Sequence, residues 1–393
     1  MRIGERYELA AELKERYWKA TRRERGELLD AFCLATGYER KHAIRMLGGR
    51  LRRKSPLSIV RPRRRRYGLA FQKALKVAWE AAGYICSERL QPYLPEVVPL
   101  LKRHGQIEVD AATEALLESA SVATVERNLV QLRRGLVGRK MSQTKPGSLL
   151  RKQIPVVVGK WKELDQPGYL EIDLVSHSGE FAVGEWIWTL CATDLSTGWT
   201  ERVPVMGRGQ LGVVAALERI RVQLPFPLLG VHPDNGSEFL NYHLVKYCQG
   251  DENVGRPLIL LSRSRPEHKN DNAHVEQRNW TLVRRLIGYQ RLDTPEQLAW
   301  LDRLYTELLR PYNNCFQPVM KLLGKESDGQ RTRKLYDRPT TPLRRVLDAG
   351  AADPSKIGAL VGLSTEVSPL SLKRKIDRRL AAMPAALKVA ASA

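Results

Sequence analysis

Two short apolar runs, each carrying a carboxylate, constrain the fold of this chain more than any other feature. Tyr169-Leu170-Glu171-Ile172-Asp173-Leu174-Val175 reads as a buried strand with an acid inside its pattern. An unpaired buried carboxylate is costly, so Asp173 needs a partner, and a cation serves. Pro227-Leu228-Leu229-Gly230-Val231 reads as a second buried strand, stopping at Pro233 with Asp234 at its C-terminal end. Asn235-Gly236 forces a tight turn just beyond it. A carboxylate held there is well placed to reach a metal ion. A third acid, Glu276, lies between Asn270 and Trp280. Asn272 is positioned to cap a helix running through Arg285, which puts Glu276 in its first turns.

Asp173, Asp234 and Glu276, in that order on strand, strand and helix, resemble the DDE catalytic core of the transposase and retroviral-type integrase superfamily, in its insertion-sequence transposase form. The phrases Glu171-Ile172-Asp173, Asp234-Asn235-Gly236-Ser237-Glu238-Phe239, Ser264-Arg265-Pro266 and Asn272-Ala273-His274-Val275-Glu276 carry the likeness, which covers roughly Gly168 to Tyr312. The resemblance implies an RNase H-like α/β core, a mixed five-stranded sheet with helices. It makes the three acids both catalytic residues and ligands of two Mg²⁺ ions, with Mn²⁺ as a substitute and Asp173 bridging the pair. The step from Asp234 to Glu276, 42 positions, is longer than in retroviral integrases, and Asp271 lies closer to that spacing. The Asn-Ala-x-Val-Glu context favours Glu276. The implied reaction is metal-dependent cleavage at DNA 3′ ends, then attack of the freed 3′-hydroxyl on target DNA, with no covalent protein intermediate. Such chemistry develops charge on attacking and leaving oxygens, which two cations about 3.5–4 Å apart stabilise. Hard cations take carboxylate oxygens, and without them three close carboxylates would repel and some would protonate.

The rest of the chain is built to meet a polyanion. Its 393 residues allow two or three domains, and the net charge of +22 points first to nucleic acid. Residues 1–49 read as a helix-turn-helix unit, with Ala43, Ile44 and Leu47 inward and Arg40, Lys41 and Arg45 outward, after a helix whose apolar face includes Leu34. Residues 50–67 form a basic arm with nine basic residues and no acid, in which Arg63, Arg64, Arg65 and Arg66 suit a minor groove. Residues 68–135 read as a second helical, helix-turn-helix unit, or equally a structural bundle. Pro95 and Pro99 are expected to keep one of its helices short. Its last helix presents Thr124, Arg127, Asn128, Gln131, Arg133 and Arg134. Residues 136–164 are a basic linker, 165–312 the catalytic core and 313–393 a basic C-terminal region. An all-α DNA-binding region thus precedes the α/β core.

Within the core, strands are expected at Glu185–Asp194, Trp199–Val205 and Leu258–Leu261, and helices at Leu211–Val222 and Asn241–Gln249. Lys269, His274, Arg278 and Arg285 are candidates to line a DNA path. His232 reads as a structural histidine, Glu238 as a cap, and Trp186, Trp188 and Trp199 as core aromatics. Pro311-Tyr312-Asn313-Asn314 is expected to end a helix over Thr294–Leu309, and Asp328–Arg338 to be a loop. Lys373, Arg374, Lys375, Arg378 and Arg379 crowd a short helix over Leu370–Leu380, suited to DNA or an acidic partner.

Five scattered cysteines lack zinc-ligand spacing and point to a reducing compartment. With no signal peptide and no membrane-spanning run, a cytoplasmic protein is expected, nucleoid-associated if prokaryotic. The expected partners are double-stranded DNA, as element ends and target, and further copies of the chain, but no membrane. Two other readings stay open: an RNase H-fold nuclease that cuts without joining, and a DNA-binding regulator with an inactive core.

Overall fold

The computed structural model describes residues 1–49, 66–133, 166–180, 183–233, 239, 241–251, 257–262, 280–328 and 331–383. The chain forms two compact units, Met1–Arg66 and Tyr67–Ala393. The first is all-helical: α1 (Ile3–Lys19), α2 (Arg22–Thr36) and α3 (Arg40–Leu47). Glu24 reaches back to the Thr21 amide and closes a capping box on α2. Gly37, at φ +70°, ends α2, and its amide donates to the Cys33 carbonyl. Ala10, Leu29, Phe32, Ala43, Met46 and Leu47 make the core. Two inward assignments are corrected. Leu34 is 90% exposed, and Ile44 gives its place to Met46, which shares the helical face of Ala43 and Leu47. Helix α1 escaped the sequence reading because its charged repeat buries only Ala10.

The second unit opens with α4 (Leu69–Ala81), α5 (Ser87–Arg103), α6 (Ala111–Ser119) and α7 (Val122–Arg133). Helix α5 is 17 residues long and holds Pro92, Pro95 and Pro99 inside it, against the expectation of a short helix. An interior proline costs about 3 kcal/mol, yet these three lie on the open side of the helix. Pro95 and Pro99 are exposed, so water reaches the carbonyls they leave unbonded. Leu90, Leu94, Val97, Val98 and Leu101 bury the opposite stripe and hold the helix in place.

The sheet follows: β1 (Tyr169–Ser176), β2 (Ile187–Asp194), β3 (Thr200–Met206), β4 (Gly230–Pro233) and β5 (Leu260–Leu261), in the order β3-β2-β1-β4-β5. Strands β1, β2 and β3 pair antiparallel, while β4 runs parallel to β1 and β5 parallel to β4. This is the expected mixed five-stranded sheet with helices. The connections α8 (Gln210–Gln223) and α9 (Tyr242–Cys248) carry the chain between the last three strands. Leu170, Ile172, Leu190, Ala192 and Val203 pack on one face with Val213, Leu217 and Ile220 of α8.

Gly168 sets the entry of β1. Its φ is +121°, and a Cβ there would lie 2.6 Å from the Pro227 carbonyl. Its amide donates to Asp194, and its carbonyl accepts from the Leu229 and Gly230 amides. Only glycine fits so close an approach, and through it β1 and β4 are locked in register.

Beyond the sheet come a π-helical turn (Trp280–Arg284), α10 (Arg285–Ile287), α11 (Pro295–Arg303), a second π-helical turn (Leu304–Leu309) and α12 (Arg310–Phe316). The helix therefore runs through Pro311 rather than ending there. The wider π turn before it relieves the clash that a proline makes with the preceding turn of an α-helix. Asp328–Arg338 is also corrected: β6 (Leu322–Asp328) and β7 (Arg331–Tyr336) form a hairpin. Helices α13 (Pro342–Asp348), α14 (Pro354–Glu366) and α15 (Pro369–Ala381) complete the unit.

Candidate functional site

Asp173 lies in β1 opposite Cys191 of β2, and Cys191 lies opposite Arg202 of β3. Alternation puts Glu171, Asp173 and Val175 on one face of β1. That face is polar, in contrast to the face under α8. Thr189, Arg202, Thr193 and Thr200 share it across β2 and β3, and each is buried. On the other side, Glu171 pairs in register with His232, and Ile172 with Pro233. The residue before Asp173 thus lies beside the residue before Asp234.

Asp173 is half-buried, and its carboxylate accepts the Leu174 amide at 2.8 Å. The half-buried Arg284, on the first π-helical turn, feels the Asp173 charge; burial nevertheless holds its guanidinium below the usual arginine range. Arg284 also lies over the Tyr289 ring. Arg202 is almost fully buried. It donates to the Leu282 carbonyl at 2.9 Å and lies 5.2 Å from the Tyr305 ring centre. Its Nε and Nη2 have no partner among the described residues, and burial lowers its pKa. Arg202 thereby clamps the π-helical turn onto the sheet face that carries Asp173. Neither arginine was singled out from the sequence. The cost of burying charge that marked Asp173 applies equally to Arg202, in the middle of an otherwise buried strand.

Next to this row, Thr189 Oγ1 bonds both His177 Nε2 and the Tyr305 hydroxyl at 2.8 Å. Burial, with Arg284 nearby, drives the pKa of His177 down to about 3, so the ring is neutral near pH 7. His232 is buried with Nδ1 2.6 Å from Ser262 Oγ, in keeping with a structural histidine. Trp199 is a core residue, bonded to Glu201. Trp188 packs half-buried against the core, whereas Trp186 does not; the two stack 5.8 Å apart, with Arg291 over Trp186 and Arg208 over Trp188.

Asp234, Glu276, the alternative Asp271, Glu238, Lys269, His274 and Arg278 lie outside the described residues, as do Arg63, Arg64, Arg65, Arg134 and the linker. Among the described residues no group of three His, Cys, Asp or Glu side chains could hold a metal ion. Of the candidate DNA contacts, Arg40, Lys41 and Arg45 are exposed on α3, with Arg40 paired to Asp30, and Arg66 is exposed. Arg127 is exposed, its guanidinium bonded to the Ala123 carbonyl and Thr124. Asn128 is half-buried between the Thr124 carbonyl and Gln72. Thr124 is buried, and Arg133 pairs with Glu126 and lies over Trp79, so neither projects freely as expected. All five cysteines are free thiols, and no described helix is long and apolar enough to cross a membrane.

No family model matches the chain. The catalytic core domain of BIV integrase, seen in its crystal structure, overlaps 47% of this chain and 95% of its own, at 16% identity and a TM-score of 0.29. An uncharacterized protein of Sinorhizobium fredii, y4rM, is 40% identical over 344 residues, spanning 87% of this chain and 95% of the relative. The chain belongs to the family of this y4rM protein.

Proposed function

We propose that the chain is a DDE-type DNA transposase or integrase with an RNase H-like core, acting on the ends of a mobile element and joining them to target DNA. One observation carries the reading. The β1–β4 register sets Asp173 next to the C-terminal end of the strand that leads into Asp234. In open α/β sheets, the carboxyl ends of neighbouring parallel strands are where ligands are met. The strand order, with three antiparallel strands followed by two parallel ones, supports an RNase H-like core.

Asp173, Asp234 and Glu276 would hold two Mg²⁺ ions. The half-buried Asp173 supplies the hard oxygen donors such ions take. When bound, the cations supply charge stabilisation at the attacking and leaving oxygens of a phosphodiester. The chain's own part is orientation. The Leu174 amide fixes the Asp173 carboxylate, and Arg202 anchors the π-helical turn that follows the Glu276 segment in sequence, on which Arg284 feels the Asp173 charge. Helix α3, with Lys41 and Arg45 exposed, is the proposed major-groove element, and α7, with Arg127, a second DNA contact. Concerted joining of two ends requires at least two copies of the chain.

The test is a duplex carrying the DNA that flanks the gene, incubated with protein and Mg²⁺ or with EDTA. Nicking at the 3′ ends and joining to a plasmid, both lost in EDTA, are expected. Cutting without joining would leave a nuclease, and binding without cutting a regulator.

A further inference from the structure

The cations of α15 divide between two sides of the helix. Lys373 pairs with Asp377 and lies over the Tyr84 ring, and Arg374 pairs with Glu80 at 2.9 Å, which ties α15 to α4. These two side chains are used within the fold. Lys375, Arg378, Arg379 and Ala382 recur at helical spacing on another side. With Arg303, Glu307 and Leu308 they line an open cavity of about 380 Å³. Four cations thus face a single carboxylate. The Arg379 Nε is buried and lacks a hydrogen-bond partner among the described residues. No ion pair among the described residues neutralises Arg303, Lys375, Arg378 or Arg379. Cations held this close repel one another, and a bound polyanion relieves the strain.

We propose that this groove binds phosphate oxygens of a DNA backbone, without reading bases. Guanidinium groups match phosphate bidentately and a lysine adds a point charge. The opposite wall is rigidly linked to the sheet. Glu307 and Leu308 belong to the π-helical turn Leu304–Leu309, whose Tyr305 bonds Thr189 beside the Asp173 row. A duplex gripped here is therefore held at a fixed position relative to Asp173. The proposal rests on the DNA reading above and adds to it a further, sequence-independent contact from the C-terminal helix.

The experiment measures binding of the full chain to a duplex of arbitrary sequence by fluorescence anisotropy across a salt series. Each phosphate contact contributes about −0.9 to the slope of log K against log salt. The variant R303Q/K375Q/R379Q is expected to flatten that slope by roughly 2–3 and to weaken binding at 0.1 M salt by at least about tenfold. Glu307→Gln removes the one opposing charge and is expected to tighten binding several-fold. It also carries the test alone if the triple variant folds poorly. Wild-type binding that matches the triple variant in slope and affinity overturns the groove while leaving the DNA reading intact, and so does Glu307→Gln binding no tighter than wild type. A wild-type chain that binds no duplex at all overturns both.

Discussion

His177 makes the fold beside Asp173 sensitive to acid, by an amount that follows from its burial. Its ring is fully buried, accepts or donates one hydrogen bond with Thr189, and has no partner for Nδ1 among the described residues. Protonation would bury a charge beside Arg284, and the pKa accordingly falls from 6.5 to about 3. An unfolded chain takes up this proton near pH 6.5. The folded pKa is the lower one, so the unfolded state binds more protons between the two values. The stability contribution is therefore complete above about pH 6.5 and lost as pH falls towards 3. Each unit in that window costs about 1.4 kcal/mol. Between pH 7 and pH 5 the loss from this one group is about 2 kcal/mol. Urea unfolding followed by tryptophan fluorescence, at both pH values, measures it. Carboxylates and other histidines titrate too, so the comparison is with His177→Gln, which retains hydrogen-bonding groups for Thr189 and does not ionise. The wild type is expected to lose about 2 kcal/mol more than the variant. Equal losses would refute the assignment of a neutral, buried His177.

Other expectations follow from single contacts. Arg310 pairs with the buried Glu201 at 2.7 Å and also donates to the Gln223 carbonyl. Arg310→Met leaves that carboxylate buried without its counter-charge, and a loss of about 3–5 kcal/mol in chemical denaturation is expected. Gly168→Ala should cost at least about 1–3 kcal/mol from its positive φ, with the Pro227 clash in addition. Hydrogen exchange should show faster opening of β1 and β4 in particular. Arg202→Met removes the clamp on the Leu282 carbonyl. It should lower DNA cleavage more than DNA binding, read by comparing turnover with anisotropy on the same duplex.

Much of the core was legible in the sequence because its signals are local. Tyr169–Val175 and the run into Pro233 are strongly apolar and bounded by glycine and proline, so β1 matches expectation to within one residue and β4 ends at Pro233 as expected, though it starts at Gly230 rather than Pro227. Ser196-Thr197-Gly198, between two apolar runs, equally marks the turn between β2 and β3. What escaped is set by tertiary packing. By local rule Pro95 and Pro99 forbid a long α5, yet they fall on its open face while five leucines and valines hold the other. Pro311 signalled a helix end until a π turn made room for it. The polar face of the sheet is half-legible: the cost of burying a charge points to Asp173, while the same argument for Arg202, buried within β3, needs its partner strands to be known. Aromatic character alone places Trp186 and Trp188 in the core; Trp188 does pack against it, but the position of Trp186 before the start of β2 leaves it half-exposed under Arg291.

The central claim is that Asp173 belongs to a divalent-cation site that acts on DNA, and one measurement addresses it most directly. Asp173→Asn keeps the size of the side chain and the acceptor for the Leu174 amide while removing the charge. Wild type and variant are compared for Mg²⁺-dependent 3′-end cleavage of the flanking duplex, with Mn²⁺ binding measured by calorimetry on the same preparations. The account predicts that the variant folds and binds the duplex as the wild type does, but binds Mn²⁺ at least about tenfold more weakly and does not cut. A variant that cuts at the wild-type rate, or holds Mn²⁺ equally well, would contradict it.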